Sequence, residues 1–302
     1  MAKKEEKEKN YSWIAILVIL VAGFFFFVLF IVLLFASISS TPTTTKGNVA
    51  VIEINNIITT ERMSQGFFSA TMSSREIVKA IEEAEKNPRV HAIMFEINSP
   101  GGTPVATHEI VKAIKNVEKP TISVIRETGA SGAYWIASAT DYIFADELSM
   151  TGSVGVLASY LEFSGFLERY NVTYQEVTGG EYKELGSPFK PLAEDEELLL
   201  QEKIDLVHDF FADDVIRNRG LEGEHAELVR TGIFFMGLEA KQLGLIDGFG
   251  GEKEAKEYLE ELLGREITLS RKQRRTGLLE AMLITNSFSI QDLLGRQSIL
   301  LR

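Results

Sequence analysis

From Trp13 to Ala36 the chain carries no charged residue and is dense in Phe, Leu, Ile and Val. As a helix this run is about 36 Å long, enough to cross a bilayer with some tilt. A cleaved signal peptide is the competing reading, and Ala36-Ser37-Ile38-Ser39 imitates its cleavage site, but such peptides have an apolar stretch of only about 7–15 residues. The pattern therefore predicts one uncleaved transmembrane helix over 13–36. Lys3, Lys4, Lys7 and Lys9 precede it, whereas only Lys46 follows before Asn56. The positive-inside rule then puts 1–12 in the cytoplasm and the chain from Asn48 onward outside it, as a single-pass protein of the cell membrane.

A Ser- and Thr-rich stretch with one proline, 37–47, reads as a linker. Beyond it the periodicity changes. Asn48–Ile58 alternates like a strand, Ser74–Lys86 spaces Ile77, Val78, Ala80, Ile81 and Ala84 like a helix, and Val90–Ile97 is again strand-like. The turn Asn98-Ser99-Pro100-Gly101-Gly102 leads to a helix over Val105–Val117 and a strand over Thr121–Ile125. A helix over Ser131–Ala139 and a strand around Tyr142–Phe144 continue the alternation, which predicts an α/β domain with a largely parallel sheet and right-handed crossovers. A long helix is expected over Glu194–Asn218, apolar at Leu199, Ile204, Leu206, Val207, Phe210, Phe211 and Val215 and stopping at Gly220. A last αβ stretch spans Leu238–Ile246, giving a domain over 48–264. Arg271, Lys272, Arg274 and Arg275 then precede apolar-rich 278–301, so 265–302 reads as a basic, amphipathic C-terminal tail, either solvated or close to anionic lipid.

With 302 residues, 45% of them hydrophobic, the chain is long enough to bury a full core. A formal net charge of −12 argues against nucleic acid as a partner, since phosphate neutralisation needs a basic face. The absence of cysteine removes disulfides, thiolate catalysis and Cys-ligated metal centres. No metal or cofactor is expected.

Three segments concentrate small residues where a periodic apolar pattern would serve folding better. In Asn98-Ser99-Pro100-Gly101-Gly102-Thr103, paired glycines let a ligand approach backbone amides that can hold an oxyanion, although a plain strand-to-helix turn explains them equally. In Thr128-Gly129-Ala130-Ser131-Gly132-Ala133-Tyr134, Ser131 sits at a helix N-terminus, where free N–H groups favour developing negative charge; an N-cap or packing serine is the alternative. A serine nucleophile needs a base. His91, His108, His208 and His225 fall in a strand, two helices and a polar loop, and each reads as structural or exposed. The third segment, Gly179–Phe189, holds Lys183 beside aromatic and small residues. A lysine serves as a base only where its surroundings favour the neutral amine, and alone Lys183 reads as a solvated surface residue.

Taken together, Ser-Pro-Gly-Gly at 99–102, Ala-Ser-Gly-Ala-Tyr at 130–134, Thr-Gly-Ser-Val-Gly-Val at 151–156 and Tyr-Lys with Ser-Pro-Phe at 182–189 resemble the signal peptide peptidase A family. The closing pattern from Gly232 through Leu238-Glu239-Ala240 to Leu243-Gly244-Leu245-Ile246-Asp247 is similar to the end of that family's catalytic domain, so the resemblance covers about 48–260. It implies a ClpP/crotonase-like α/β spiral and a serine protease with a Ser131–Lys183 dyad. It further implies Ser153 as hydrogen-bond support for the lysine, and Gly101 or Gly102 with Gly132 as oxyanion donors. Peptide substrates are then signal-peptide remnants and similar apolar chains. Some members fuse two copies of the domain, one supplying the serine and the other the lysine. A single copy with both motifs implies a homo-oligomeric ring in which neighbours can share the dyad. The alternatives are a related membrane-bound protease acting on membrane proteins, a crotonase-like acyl-CoA enzyme and a non-catalytic scaffold.

Overall fold

Alternating apolar residues on the first strands divide between two cores. Val49 and Val51 face one way and Ile52 and Ile54 the other; Ala92 and Met94 oppose Ile93, Phe95 and Ile97 in the same manner. Strands buried on both faces belong to a sheet covered by helices on both sides, and each buried Val, Ile, Met or Phe side chain among these contributes roughly 1.5–3 kcal/mol. The computed structural model describes residues 12–38, 47–62 and 71–271, with side chains of the first segment given for 16–31.

Helix α1 is Ser12–Ile38, and the second compact unit, Thr45–Arg271, holds all the other elements. In order these are β1 (Val49–Asn55), β2 (Ile58–Thr59), β3 (Met72–Ser73), α2 (Ser74–Lys86), β4 (Ala92–Ser99), α3 (Pro104–Lys115) and β5 (Thr121–Ala130). There follow α4 (Gly132–Ser138), β6 (Tyr142–Ala145), β7 (Met150–Gly152), α5 (Ser164–Arg169), α6 (Glu194–Arg219) and α7 (Gly223–Arg230). The described chain closes with β8 (Phe234–Met236), α8 (Gly237–Gln242), β9 (Gly248–Phe249), α9 (Glu252–Leu263) and β10 (Leu269–Arg271).

The sheet order is β10-β1-β4-β5-β6-β9, parallel at each of these pairings, with β7 parallel to β5 and antiparallel to β8. This is the α/β architecture with a largely parallel sheet that the alternation predicts. Strand β5 positions the site because it changes partner along its length. Ile122–Ile125 pair with β6, whereas Thr128–Ala130 pair with β7. Its far end therefore emerges between the turn after β4 and the end of β7.

Helix α2 occupies the span read from its periodicity, and its last carbonyls are capped from outside, Lys119 Nζ donating to Ala84 O at 2.8 Å, Asn87 O at 2.9 Å and Glu85 O. Helix α6 ends at Gly220 in the left-handed conformation, as expected. Its packing differs from the expected apolar side: Phe211, Ala212 and Val215 are buried, whereas Leu206 stays exposed and Phe210 is half exposed with its ring edge against His108 and Trp135.

The domain boundary expected after residue 264 is too early. Strand β10 pairs with β1, and Arg271 binds Glu96 at 3.2 Å and also Glu252, so the folded unit continues to Arg271. Helix α9 covers the second face of the sheet through Ala255 and Leu259. Most of the expected cytoplasmic segment 1–12, linker 37–47 and tail 265–302 lies outside the described residues, which leave out 1–11, 39–46 and 272–302.

Among the described residues no helix is long and apolar enough to cross a membrane. Helix α1 has 27 residues, and its side chains are described for 16–31. Those from Ile16 to Phe30 are all apolar or glycine, and all exposed.

Candidate active site

Ser131 stands where β5 turns into α4, at the N-cap, with φ 52° and ψ −127°. A positive φ is uncommon for a residue with a side chain and costs on the order of 1–3 kcal/mol, so the surroundings must impose it. They do so from β7: the Ser131 N–H donates to Gly152 O at 2.8 Å, and Thr151 Oγ1 donates to Gly129 O at 3.0 Å. The half-buried serine makes no side-chain capping hydrogen bond. The N-cap reading of Ser131 thus holds for its backbone and fails for its hydroxyl, which is left available.

Ser153 shares this geometry. In the register Gly129↔Thr151 and Ala130↔Gly152, Ser131 and Ser153 are the next residues on adjacent strands, which lie about 4.8 Å apart. Ser153 also has a positive φ, 51°, and its N–H donates to Ile233 O at 3.0 Å on the other side.

Glycines close the opposite flank. A Cβ on Gly101, whose φ is +109°, would lie 2.8 Å from the Gly132 nitrogen and 3.1 Å from Ser131 Cβ; one on Gly132 would lie 3.2 Å from the Gly102 nitrogen. The three glycines are therefore in mutual contact beside Ser131. Their amides are not equivalent. Gly101 N–H donates to Ser99 Oγ at 3.1 Å, and Ser99 Oγ itself donates to Asn56 O at 2.5 Å. Ile58 N–H donates to Gly101 O and Thr103 N–H to Ile58 O, pinning the turn from outside. Gly102 N–H has no partner among the described residues, and Gly132, first in its helix, has no intrahelical acceptor. Two free donors next to a free hydroxyl are what stabilising a tetrahedral oxyanion requires.

Thr107 escaped the reading of the sequence, because an isolated hydroxyl on a helix carries no spacing signal, and Ser99 was read only as part of the Ser-Pro-Gly-Gly turn, which does not show what its hydroxyl binds. Thr107 is fully buried on α3, and its Oγ1 would lie 2.5 Å from a Cβ on Gly132. A Cβ at 132 would shift this amide, so Gly132→Ala is expected to lower any turnover that uses it as an oxyanion donor by about 10²-fold. Adding Thr107→Ala, which vacates that space, should recover part of the loss. Steady-state kcat of the two variants, with thermal unfolding as control, checks this; full activity of Gly132→Ala would show that its amide is not used.

Lys183 lies on the segment between β7 and α6, with an exposed side chain and no hydrogen bond to Ser131 or Ser153 among the described residues. It forms no ion pair among the described residues. Neighbouring Lys190, by contrast, contacts Glu196 at 2.8 Å, and that hydrogen bond raises its pKa and holds it protonated. None of the four histidines hydrogen-bonds Ser131 among the described residues: His91 lies against Arg265, His108 stacks on Trp135, His208 Nε2 is 3.2 Å from Val154 O, and His225 is exposed. Burial, followed by the charge of Lys112, lowers the pKa of His108. A crevice lined by Arg126, Asp146, Leu148, Phe249 and Glu254 contains none of the site residues.

Residues 113–266 match the model of peptidase family S49. The chain is 29% identical over 191 residues to a putative protease of Methanocaldococcus jannaschii, covering 63% of this chain and 61% of that protein. It is 28% identical to a putative signal peptide peptidase SppA of Enterococcus faecium, over 78% of this chain and 70% of that one. A putative protease of Synechocystis is 30% identical, over 74% and 76% of the two chains. The match thus takes in less than two thirds of the archaeal relative's own length.

Proposed function

The chain belongs to peptidase family S49, and on that membership we propose that it works as a membrane-anchored serine endopeptidase cutting apolar peptides such as signal-peptide remnants. Ser131 is the nucleophile and Lys183 the general base. The observation that carries this reading is the uncapped Ser131 hydroxyl at a strained strand-to-helix elbow, flanked by the Gly102 and Gly132 amides. The family match removes the grounds for an acyl-CoA enzyme or a non-catalytic scaffold.

The Lys183 amine takes the Ser131 proton as Oγ attacks the peptide carbonyl, and the two amides hold the resulting oxyanion. Collapse breaks the C–N bond, and the lysine ammonium returns the proton to the departing amine. Water, deprotonated by the same lysine, then hydrolyses the acyl-enzyme and regenerates Ser131. Ser153, on the strand end beside Ser131, hydrogen-bonds the lysine amine. The fold follows the ClpP/crotonase-like spiral.

Subunits form a ring and complete one another's dyads. In support, Lys183 is exposed within a segment that also exposes Leu157, Leu161, Phe166 and Val177, an apolar surface that the other described residues leave uncovered. The run 13–36 anchors the protein in lipid with the catalytic domain outside the cytoplasm; the exposed apolar side chains of α1 favour this.

Labelling the detergent-solubilised full chain with a fluorophosphonate and mapping the adduct tests the assignment. The adduct is expected on Ser131, and a label confined to another residue overturns the assignment.

A further inference from the structure

Helix α6 reaches both serines of the site, each through one intermediary. On one side stands Trp135 of α4, whose backbone N–H donates to Ser131 O at 3.0 Å. Its indole Nε1–H donates to Asp214 Oδ2 of α6 at 2.8 Å, and its ring stacks on Phe211 of the same helix with centroids 4.7 Å apart. The Asp214 carboxylate is 9% exposed and receives Lys115 Nζ at 2.7 Å and Arg217 Nη2 at 3.1 Å on its other oxygen. Burial pushes its pKa up, but the hydrogen bonds from Lys115 and Trp135 outweigh this and hold it below the usual carboxylate range, so it stays an anion that can only accept. On the other side His208 Nε2–H donates to the carbonyl of Val154, the residue after Ser153, at 3.2 Å.

Each contact lies within one helical turn downstream of a strained residue, Trp135 four residues after Ser131 and Val154 next to Ser153, both serines having positive φ. Such conformations persist only where neighbours over-determine them. Helix α4, Gly132–Ser138, is also too short to keep its orientation unaided.

We infer that α6 sets the geometry of the site, Asp214 fixing Ser131 and Gly132 through Trp135 while His208 fixes Ser153 through the Val154 carbonyl. Both are positioning residues; neither touches the reacting atoms. The inference rests on Ser131 being the nucleophile, as proposed above.

The test measures kcat and KM of the full-length enzyme in detergent on an apolar fluorogenic peptide, per fluorophosphonate-titrated site. Trp135→Phe, which keeps a ring to stack but no donor, and Asp214→Asn should each lower kcat about ten- to a hundredfold, as sub-ångström to ångström misplacement does. KM should stay within about twofold for both, as expected when positioning rather than uniform binding is lost. Their double variant should be no worse than the poorer single one. His208→Ala should also lose kcat, and His208→Gln, whose side-chain N–H reaches the same carbonyl, should restore most of it. Wild-type kcat in folded Trp135→Phe and His208→Ala, with losses confined to melting temperature, overturns the inference. If Asp214→Asn does not fold, Trp135→Phe decides its half. His208→Gln as inactive as His208→Ala would give the ring a proton-transfer role and overturn the other half. Turnover retained by Ser131→Ala would instead sink the underlying assignment, whatever the α6 variants do.

Discussion

Ser131→Ala is expected to lower peptide hydrolysis by on the order of 10⁴-fold or more, the scale seen when a nucleophile that works as a unit with its base is removed. The fold should survive. The side chain is half-buried at the N-cap, makes no capping hydrogen bond, and contributes nothing to either hydrophobic core. The constraint on this turn comes from the backbone, through Ser131 N–H to Gly152 O and Trp135 N–H to Ser131 O, and alanine keeps both. Replacing serine by alanine at a positive φ changes little in strain, since both carry a Cβ. The measurement is hydrolysis of an apolar fluorogenic peptide with thermal unfolding and light scattering as controls. A folded variant that turns over at the parent rate would remove Ser131 from the chemistry and leave the glycine amides without a nucleophile to serve.

Lys183→Ala should cost on the order of 10²–10⁴-fold in kcat, the contribution of a positioned general base. Arginine at 183 should be equally poor because its guanidinium stays charged, and histidine because its shorter ring misplaces the nitrogen. Lys190→Ala is the matched control: that amine is already committed to Glu196, so its removal should leave turnover near normal. Within one chain the exposed Lys183 makes no contact with Ser131 that the hydrogen-bonding pattern records, which makes a shared dyad testable by mixing. Subunits of Ser131→Ala and Lys183→Ala, each inactive alone, should regain partial activity when reassembled together if a neighbour supplies the lysine. No recovery on mixing would place the dyad within one chain. Retained turnover in Lys183→Ala, with loss on replacing a histidine, would replace the dyad by a Ser–His pair.

The sequence by itself was sufficient for features that depend on neighbours along the chain. Helix α2 is legible because an apolar stripe at helical spacing needs no distant partner to be recognised, and the end of α6 is legible because Gly220 takes the left-handed conformation that stops a helix. The alternation of strands with helices gave the parallel α/β sheet. Ser131 and the glycines at 101, 102 and 132 were visible as clusters of small residues in short segments. What only the tertiary structure decided are relations across long separations. Strand β10 pairs with β1 from the far end of the domain, so a three-residue strand with no periodicity of its own moves the boundary to Arg271. The switch of β5 from β6 to β7 puts Ser153 beside Ser131, and no pattern within β5 encodes a change of partner. The Gly101 and Gly102 amides look alike in sequence, and only the hydroxyl of Ser99 distinguishes them, by occupying the first. Thr107, Asp214 and His208 look like ordinary helical residues until folding brings them to Gly132, Trp135 and Val154. The physical reason is common to all of these: periodicity records which face of an element is buried, whereas a hydrogen bond or a close backbone approach depends on which other element is packed there.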